Sequence, residues 1–252
     1  MQTQQRRRRW GTGGLAGNPL FGGARPVSPL LTSLVAYYKL DEASGVGIDS
    51  AGSNTLTDNN TVTSAAGKVG TARQFTLANS EFLSIADNAA LSSGDIDFTI
   101  TAWVYFDTLA TTQMLVTKDI DTDVREYLVN YDQSSNRFQF SVREAGLAFV
   151  TAVANNLGAP STATWYFVVA WHDATANTVN IQVNNGTVDS VPTAGPLQAE
   201  GGAPFQIGAR AFATFENYMD GRIDEVGFWK RVLTAAERTQ LYNGGNGTTY
   251  PF

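Results

Sequence analysis

The chain has 252 residues, 43% of them hydrophobic and 16% charged, with no cysteine and one histidine. This suits one large domain with a sizeable core and excludes disulfides, thiolate metal sites and multi-histidine clusters. Charge is unevenly placed: residues 1–33 hold five arginines and no acid, whereas the other 12 basic and 23 acidic residues leave the body at −11, a field that repels phosphate backbones, so nucleic acid is not an expected partner.

Residues 1–33 read as an extended arm, basic and rich in Gly and Pro. Pro19, Pro26 and Pro29 bias their preceding residues away from helix. The arginines of MQTQQRRRRW are not followed by the apolar run of a secretory signal. No stretch approaches the ~20 apolar residues of a membrane span. The scattered apolar residues suit an arm that docks on something. Arg6, Arg7, Arg8, Arg9 and Arg25 are expected to pair with acidic grooves of a partner, and Trp10 and Phe21 to insert as apolar anchors.

The body is expected to begin at Leu34. LVAYYKLD is a short strand, followed by a Gly/Asn/Ser-rich connection to about residue 70, then the strands ARQFTL and EFLSIAD. DFTITAWVYF alternates over ten residues, with Phe98, Ile100, Ala102, Val104 and Phe106 on one face and Thr99, Thr101, Trp103 and Tyr105 on the other. QMLVTK, REYLVNY, RFQFSVRE, LAFVTAVA, TWYFVVAWH, TVNIQVN, PFQIGAR and NYMDGRIDEVGFW continue the pattern. Turn signals every 8–12 residues or so predict a sandwich or barrel, with local hairpins REYLVNY/RFQFSVRE, RFQFSVRE/LAFVTAVA and TWYFVVAWH/TVNIQVN. One helix is predicted in LTAAERTQLYNGG, where Thr234 and Glu237 form a capping box and Gly244 supplies the left-handed stop.

Four groups of residues suggest chemistry. His172, at a strand end, lacks a G-x-S-x-G nucleophile and reads as a hydrogen-bonded or solvated side chain. Asp119-Ile-Asp121-Thr-Asp123 begins like an EF-hand loop but has Val124 at the glycine position and Asn130 at the glutamate position, so a solvated acidic loop is expected. Asp224 and Glu225 are adjacent in a strand and should face opposite ways. Tyr131, Phe149, Phe212, Phe215 and Tyr218 lie in or near loops; they fit either a sugar-stacking platform or rings tucked onto the sandwich edge.

Five blocks occur in an order that resembles the LamG-like jelly roll of the concanavalin A-like lectin/glucanase superfamily. They are LVAYYKLDEASGVGIDSAG, GKVGTARQFTLANSEFLSIAD, DFTITAWVYF, TWYFVVAWHDATANTVNIQVNNG and DGRIDEVGFWKRVLTAAERTQLY. The resemblance covers residues 34–244. It implies an all-β, two-sheet antiparallel jelly-roll sandwich over 34–252 with one short C-terminal helix, and it has no counterpart for the arm. It also implies a structural Ca²⁺, for which Asp41, Asp49 and Asp224 are the matching acids, and no other cofactor. The E-x-D-x-x-E strand of the superfamily's retaining glucanases is absent, which removes the close carboxylate pair they need. A basic arm on a lectin-like domain without an export signal leads to the expectation of a non-enzymatic bacteriophage virion protein. It would be a capsid decoration or fibre-like subunit made in the host cytoplasm, anchored by its arm to capsid or other virion proteins. It would present the domain to cell-surface glycans and could form a homo-oligomer. The alternatives are a stand-alone carbohydrate-binding or adhesion module and, third, a glycoside-active enzyme.

Overall fold

The structure, a computed structural model, describes residues 27–120, 125–146, 149–198, 201–212 and 214–252. Two antiparallel sheets stack face to face. At the centre of the first lie β6 (Phe98–Phe106) and β17 (Gly221–Trp229). β11 (Trp165–Asp173), β12 (Thr178–Val183) and β13 (Asp189–Pro192) extend the sheet beyond β6, and β4 (Thr71–Phe75) and β3 (Thr63–Ala66) extend it beyond β17. β17 changes neighbour along its length. It pairs with β4 over Gly221–Ile223 and with β1 (Leu34–Tyr38) over Val226–Trp229. The second sheet runs β10 (Phe149–Val153), β9 (Arg137–Arg143), β8 (Arg125–Asp132), β7 (Gln113–Asp119), β14 (Phe205–Ile207), β5 (Phe82–Ile85) and β2 (Thr57–Asn59). A two-stranded ribbon of β15 (Arg210–Phe212) and β16 (Thr214–Glu216) stands beside β7.

The predicted hairpins β8–β9, β9–β10 and β11–β12 all form. The alternation of β6 sends Phe98, Ile100, Ala102, Val104 and Phe106 into the space between the sheets, where they meet Tyr127, Val129 and Tyr131 of β8 and Phe138, Phe140 and Val142 of β9. The passage before residue 70, read as connection, contains β2 and β3. Both are short strands of Thr, Asp, Asn, Ser and Ala held by backbone pairing, so they carry no hydrophobic period.

The other face of β6 is also buried, because a second apolar layer covers it. Trp103, Phe167, Trp171, Trp229 and Tyr37 are roofed by Leu233, Leu241 and Tyr242, by the C-terminal Tyr250 and Phe252, and by Leu30. Trp103 stacks on Tyr242 at 5.8 Å, and Phe252 meets Tyr37 edge-on at 5.1 Å. The roof contains α1 (Ala235–Tyr242), which has the predicted capping box: Thr234 accepts from the Glu237 N–H, and Glu237 accepts from Thr234. Its stop differs from the prediction, since Asn243 already takes the left-handed conformation (φ 49°) ahead of Gly244. No helix among the described residues is long and apolar enough to cross a membrane.

The roof also corrects the boundary placed at Leu34. Leu30 is fully buried, and its carbonyl accepts from Trp229 Nε1 at 2.7 Å. Arg231 donates to the carbonyls of Pro29 (2.9 Å) and Thr32 (2.8 Å). Residues 29–33 therefore belong to the folded body. Its start was invisible in the sequence because a leucine pair just after Pro29 shows no period.

Candidate functional site

Among the described residues, no such roof covers the outer face of the second sheet. A groove of about 410 Å³ opens across β7, β8, β9 and β10. Two cross-strand rows form its floor: Met114, Asn130 and Gln139 lie opposite one another, as do Leu128, Ser141 and Thr151. These positions alternate with the core residues Val129, Tyr131, Phe138 and Phe140, so the core that fixes the strands also fixes the groove. Apolar Met114 and Leu128 are thus interleaved with amides and hydroxyls.

One wall is aromatic and cationic. The Arg125 guanidinium lies 4.3 Å from the Phe149 ring centre and its Nε donates to Asp119 Oδ1 at 2.7 Å. Arg210 pairs with Glu216 and stands 4.0 Å from Asp119 Oδ2. At the other end, Asp132 accepts from Ser134 Oγ (2.7 Å) and the Ser135 N–H (2.9 Å). Burial pushes its carboxyl up, but these bonds outweigh it and hold the pKa below the ordinary range. Asp132 is the lone carboxylate among the described groove-lining residues.

Of the aromatics proposed for a sugar platform, the structure places Phe149 in this groove. Tyr131 is a correction: it is 2% exposed, packs in the core on Phe106 at 5.3 Å, and its hydroxyl binds the Leu109 carbonyl and Asn136. Its place in the strand alternation decides this, not its nearness to a turn. Tyr218 is half-buried and packs on Phe82 at 6.1 Å. The side chains of Phe212 and Phe215 lie outside the described ones, as do Arg6, Arg7, Arg8, Arg9, Trp10, Phe21 and Arg25. The lining residues Asn130, Gln139, Ser141 and Thr151 were missed. The available signal was polar residues on the outward positions of the long strands β8 and β9.

The acids assigned to Ca²⁺ do not assemble a metal centre. Asp49 Oδ1 accepts from the N–H groups of Tyr37, Ala51 and Gly52, and its Oδ2 accepts from Asn54 N and Nδ2, all within 3.0 Å. No lone pair of Asp49 is left for a cation. Asp41 is exposed and accepts from the Thr71 N–H at 2.9 Å. Asp224 Oδ2 accepts from the N–H groups of Lys68 (2.7 Å) and Val69 (2.9 Å). Among the described residues no three Asp, Glu or His side chains converge on a metal-sized space. The three acids organise loop backbone instead.

Asp224 and Glu225 also depart from expectation. The register slips between Asp224 and Gly227, and Glu225 takes φ of 50°. This bulge re-aims the chain. Asp224 lies opposite Trp103 and Glu225 beside Tyr37, so both carboxyls turn to the roofed outer face of the first sheet. Both are at most 1% exposed. Desolvation pushes Asp224 up to about 8, against the pull of its two N–H donors, and Glu225 up to about 7. Buried beneath the roof, they are closed to any substrate.

His172 is fully buried, with Nδ1 2.9 Å from the Ile96 carbonyl, as a hydrogen-bonded hairpin residue. Asp119 is not in a solvated loop, since it is buried against Arg125.

The concanavalin A-like lectin/glucanases superfamily model Laminin_G_3 matches residues 77–237. No curated protein sequence matches the chain. Solved structures share the fold. Domain 4 of AbnA, a GH43 extracellular arabinanase from Geobacillus stearothermophilus, solved in complex with arabinotriose, is 18% identical. The match covers 82% of this chain and 97% of that one, with a TM-score of 0.61. The binding domain of Paraclostridial Mosquitocidal Protein 1 is 13% identical over 86% of this chain and 53% of that one, at a TM-score of 0.67. The binding domain of botulinum neurotoxin DC, in complex with SialylT, is 10% identical over 85% and 52%, at 0.59. The chain thus spans about half the length of the two toxin domains.

Proposed function

Since the chain belongs to the concanavalin A-like lectin/glucanases superfamily, we propose that it is a non-enzymatic glycan-binding module and that the groove on its second sheet is the binding site. The observation that carries this reading is the composition of the groove floor. Sugar hydroxyls both donate and accept, and so do the amides and hydroxyls of Asn130, Gln139, Ser141 and Thr151. Met114, Leu128 and Phe149 offer apolar surface to the C–H faces of a sugar ring. The complexes of the arabinanase domain with arabinotriose and of the neurotoxin domain with SialylT lend support by likeness of fold. Glycoside hydrolysis takes two carboxyl groups across one bond, and among the described lining residues Asp132 stands without a second.

A glycan array probed with the full chain, followed by calorimetry on the glycans retained, tests the proposal. Asn130→Ala and Gln139→Ala are each expected to weaken binding roughly tenfold, the scale of one or two lost hydrogen bonds, while both variants still unfold in one cooperative transition. Unaltered affinity in both variants would sink the assignment to this groove.

The finer proposal is that the module is held on a larger assembly, a bacteriophage virion, through its N-terminal segment. The contrast between five arginines in residues 1–26 and an acidic body supports it, because such a segment seeks acidic partner surface. Deleting residues 1–26 should abolish incorporation into particles and leave the melting temperature unchanged. Full incorporation of the truncated chain would refute the anchor.

A further inference from the structure

A second line of side chains crosses the other sheet, beyond the edge of the roof. Register places Trp165 opposite Tyr105, Tyr105 opposite Arg222, Arg222 opposite Gln74, and Gln74 opposite Thr63. Directly opposed residues of an antiparallel sheet share a face. One straight row therefore spans β11, β6, β17, β4 and β3, roughly 19 Å at ~4.8 Å between strands.

The row is pre-assembled. The Trp165 and Tyr105 rings lie 5.4 Å apart, and the Arg222 guanidinium sits 4.5 Å from the Tyr105 ring centre. Arg222 Nε donates to Gln74 Oε1 at 2.9 Å, and Gln74 Nε2 donates to Asp107 Oδ2 at 2.8 Å. The neighbouring row along the same strands, Trp103 and Asp224, is buried beneath Tyr242 and the residue 67–70 turn. The row from Trp165 to Gln74 is half-exposed, and Thr63 is exposed.

Charge narrows what can lie there. Among the described residues no carboxylate stands within ion-pair distance of Arg222; its side-chain partners are Gln74 and, at 3.3 Å from Nη1, the Ala66 carbonyl. Lys68, over the Trp103 ring at 4.8 Å, adds a second cation on this face. A guanidinium held over an aromatic ring and bonded through Nε and Nη1 keeps further N–H groups for a planar carboxylate.

We propose that this row is a second binding site, separate from the groove, for a linear glycan built of uronic acids. Pyranose faces stack on Trp165 and Tyr105, ring hydroxyls meet Gln74 and Thr63, and one sugar carboxylate pairs with Arg222.

The test titrates the full chain with hexamers of galacturonate, mannuronate and glucuronate, and with neutral cellohexaose, by calorimetry and tryptophan emission. At least one uronate hexamer is expected to bind, more weakly as salt rises. Arg222→Gln, a surface change that keeps the fold, should weaken that hexamer roughly tenfold, toward the affinity for cellohexaose. Trp165→Ala should weaken both kinds of chain, and Trp165→Phe should restore much of the loss. Asn130→Ala in the groove should leave uronate binding unchanged, so the two sites succeed or fail separately. The proposal is overturned if no uronate hexamer binds at millimolar concentration. It is equally overturned if binding survives Arg222→Gln and Trp165→Ala, or is lost in Asn130→Ala instead.

Discussion

The two outer faces of the sandwich are built from the same kind of strand and meet different fates. On the first sheet, the outward positions Trp103, Phe167, Trp171 and Trp229 are large and apolar, and a helix, the C-terminal tail and residues 29–33 close over them. On the second, the outward positions Asn130, Gln139, Ser141 and Thr151 are small or polar and stay open as a groove. Period two shows which residues face the core. The chemistry of the other set shows whether that face will be covered or offered to a ligand. The roofed layer therefore serves stability, whereas the groove on the second sheet leaves its polar positions free of such packing.

Four substitutions break or sharpen this contrast. The largest effect is expected at Trp229, fully buried in the roofed layer with its indole N–H bonded to Leu30. Trp229→Ala should cost about 3–5 kcal/mol in denaturant unfolding; a loss below ~1 kcal/mol would mean the roof adds little. Next is Asp224→Asn, read against pH. The folded-state pKa is raised, so between about 4 and 8 the native state holds a proton that the unfolded state has lost. Wild-type stability should therefore fall as pH rises through that window, and the asparagine variant, which keeps an acceptor for Lys68 and Val69, should flatten the fall. Parallel stability–pH curves for the two proteins would contradict the burial argument. Thr234→Ala removes one half of the capping box of the roof helix and should cost about 1 kcal/mol, seen as a lower melting temperature. Smallest is Asn130→Ala on the groove floor, expected to lower stability by less than about 1 kcal/mol. A larger cost there would show that the groove floor also holds the fold together.

Much of the fold was legible. The alternation of residues 98–106 identified the central strand, three hairpins followed from turn residues, and Thr234 with Glu237 marked the helix start. What escaped has a physical reason in each case. β2 and β3 are too short and polar to show a period. The bulge at Glu225 leaves no sign in the residue types, yet it turns two carboxyls to one face. The site was read less well than the fold because aromatics near loops drew attention from the strands. Tyr131 is core, whereas its neighbour Asn130 reaches the groove.

The change of neighbour along β17 has a consequence for how the domain can be mounted. By pairing β1 with the last stretch of β17, it brings Leu34 opposite Trp229. It lets Leu30, Tyr250 and Phe252 settle in one layer. Leu30 and the last described residues thus sit on the same side of the sandwich, like the two pins of a plug. A support on that side would leave the groove, on the far sheet, facing away from it.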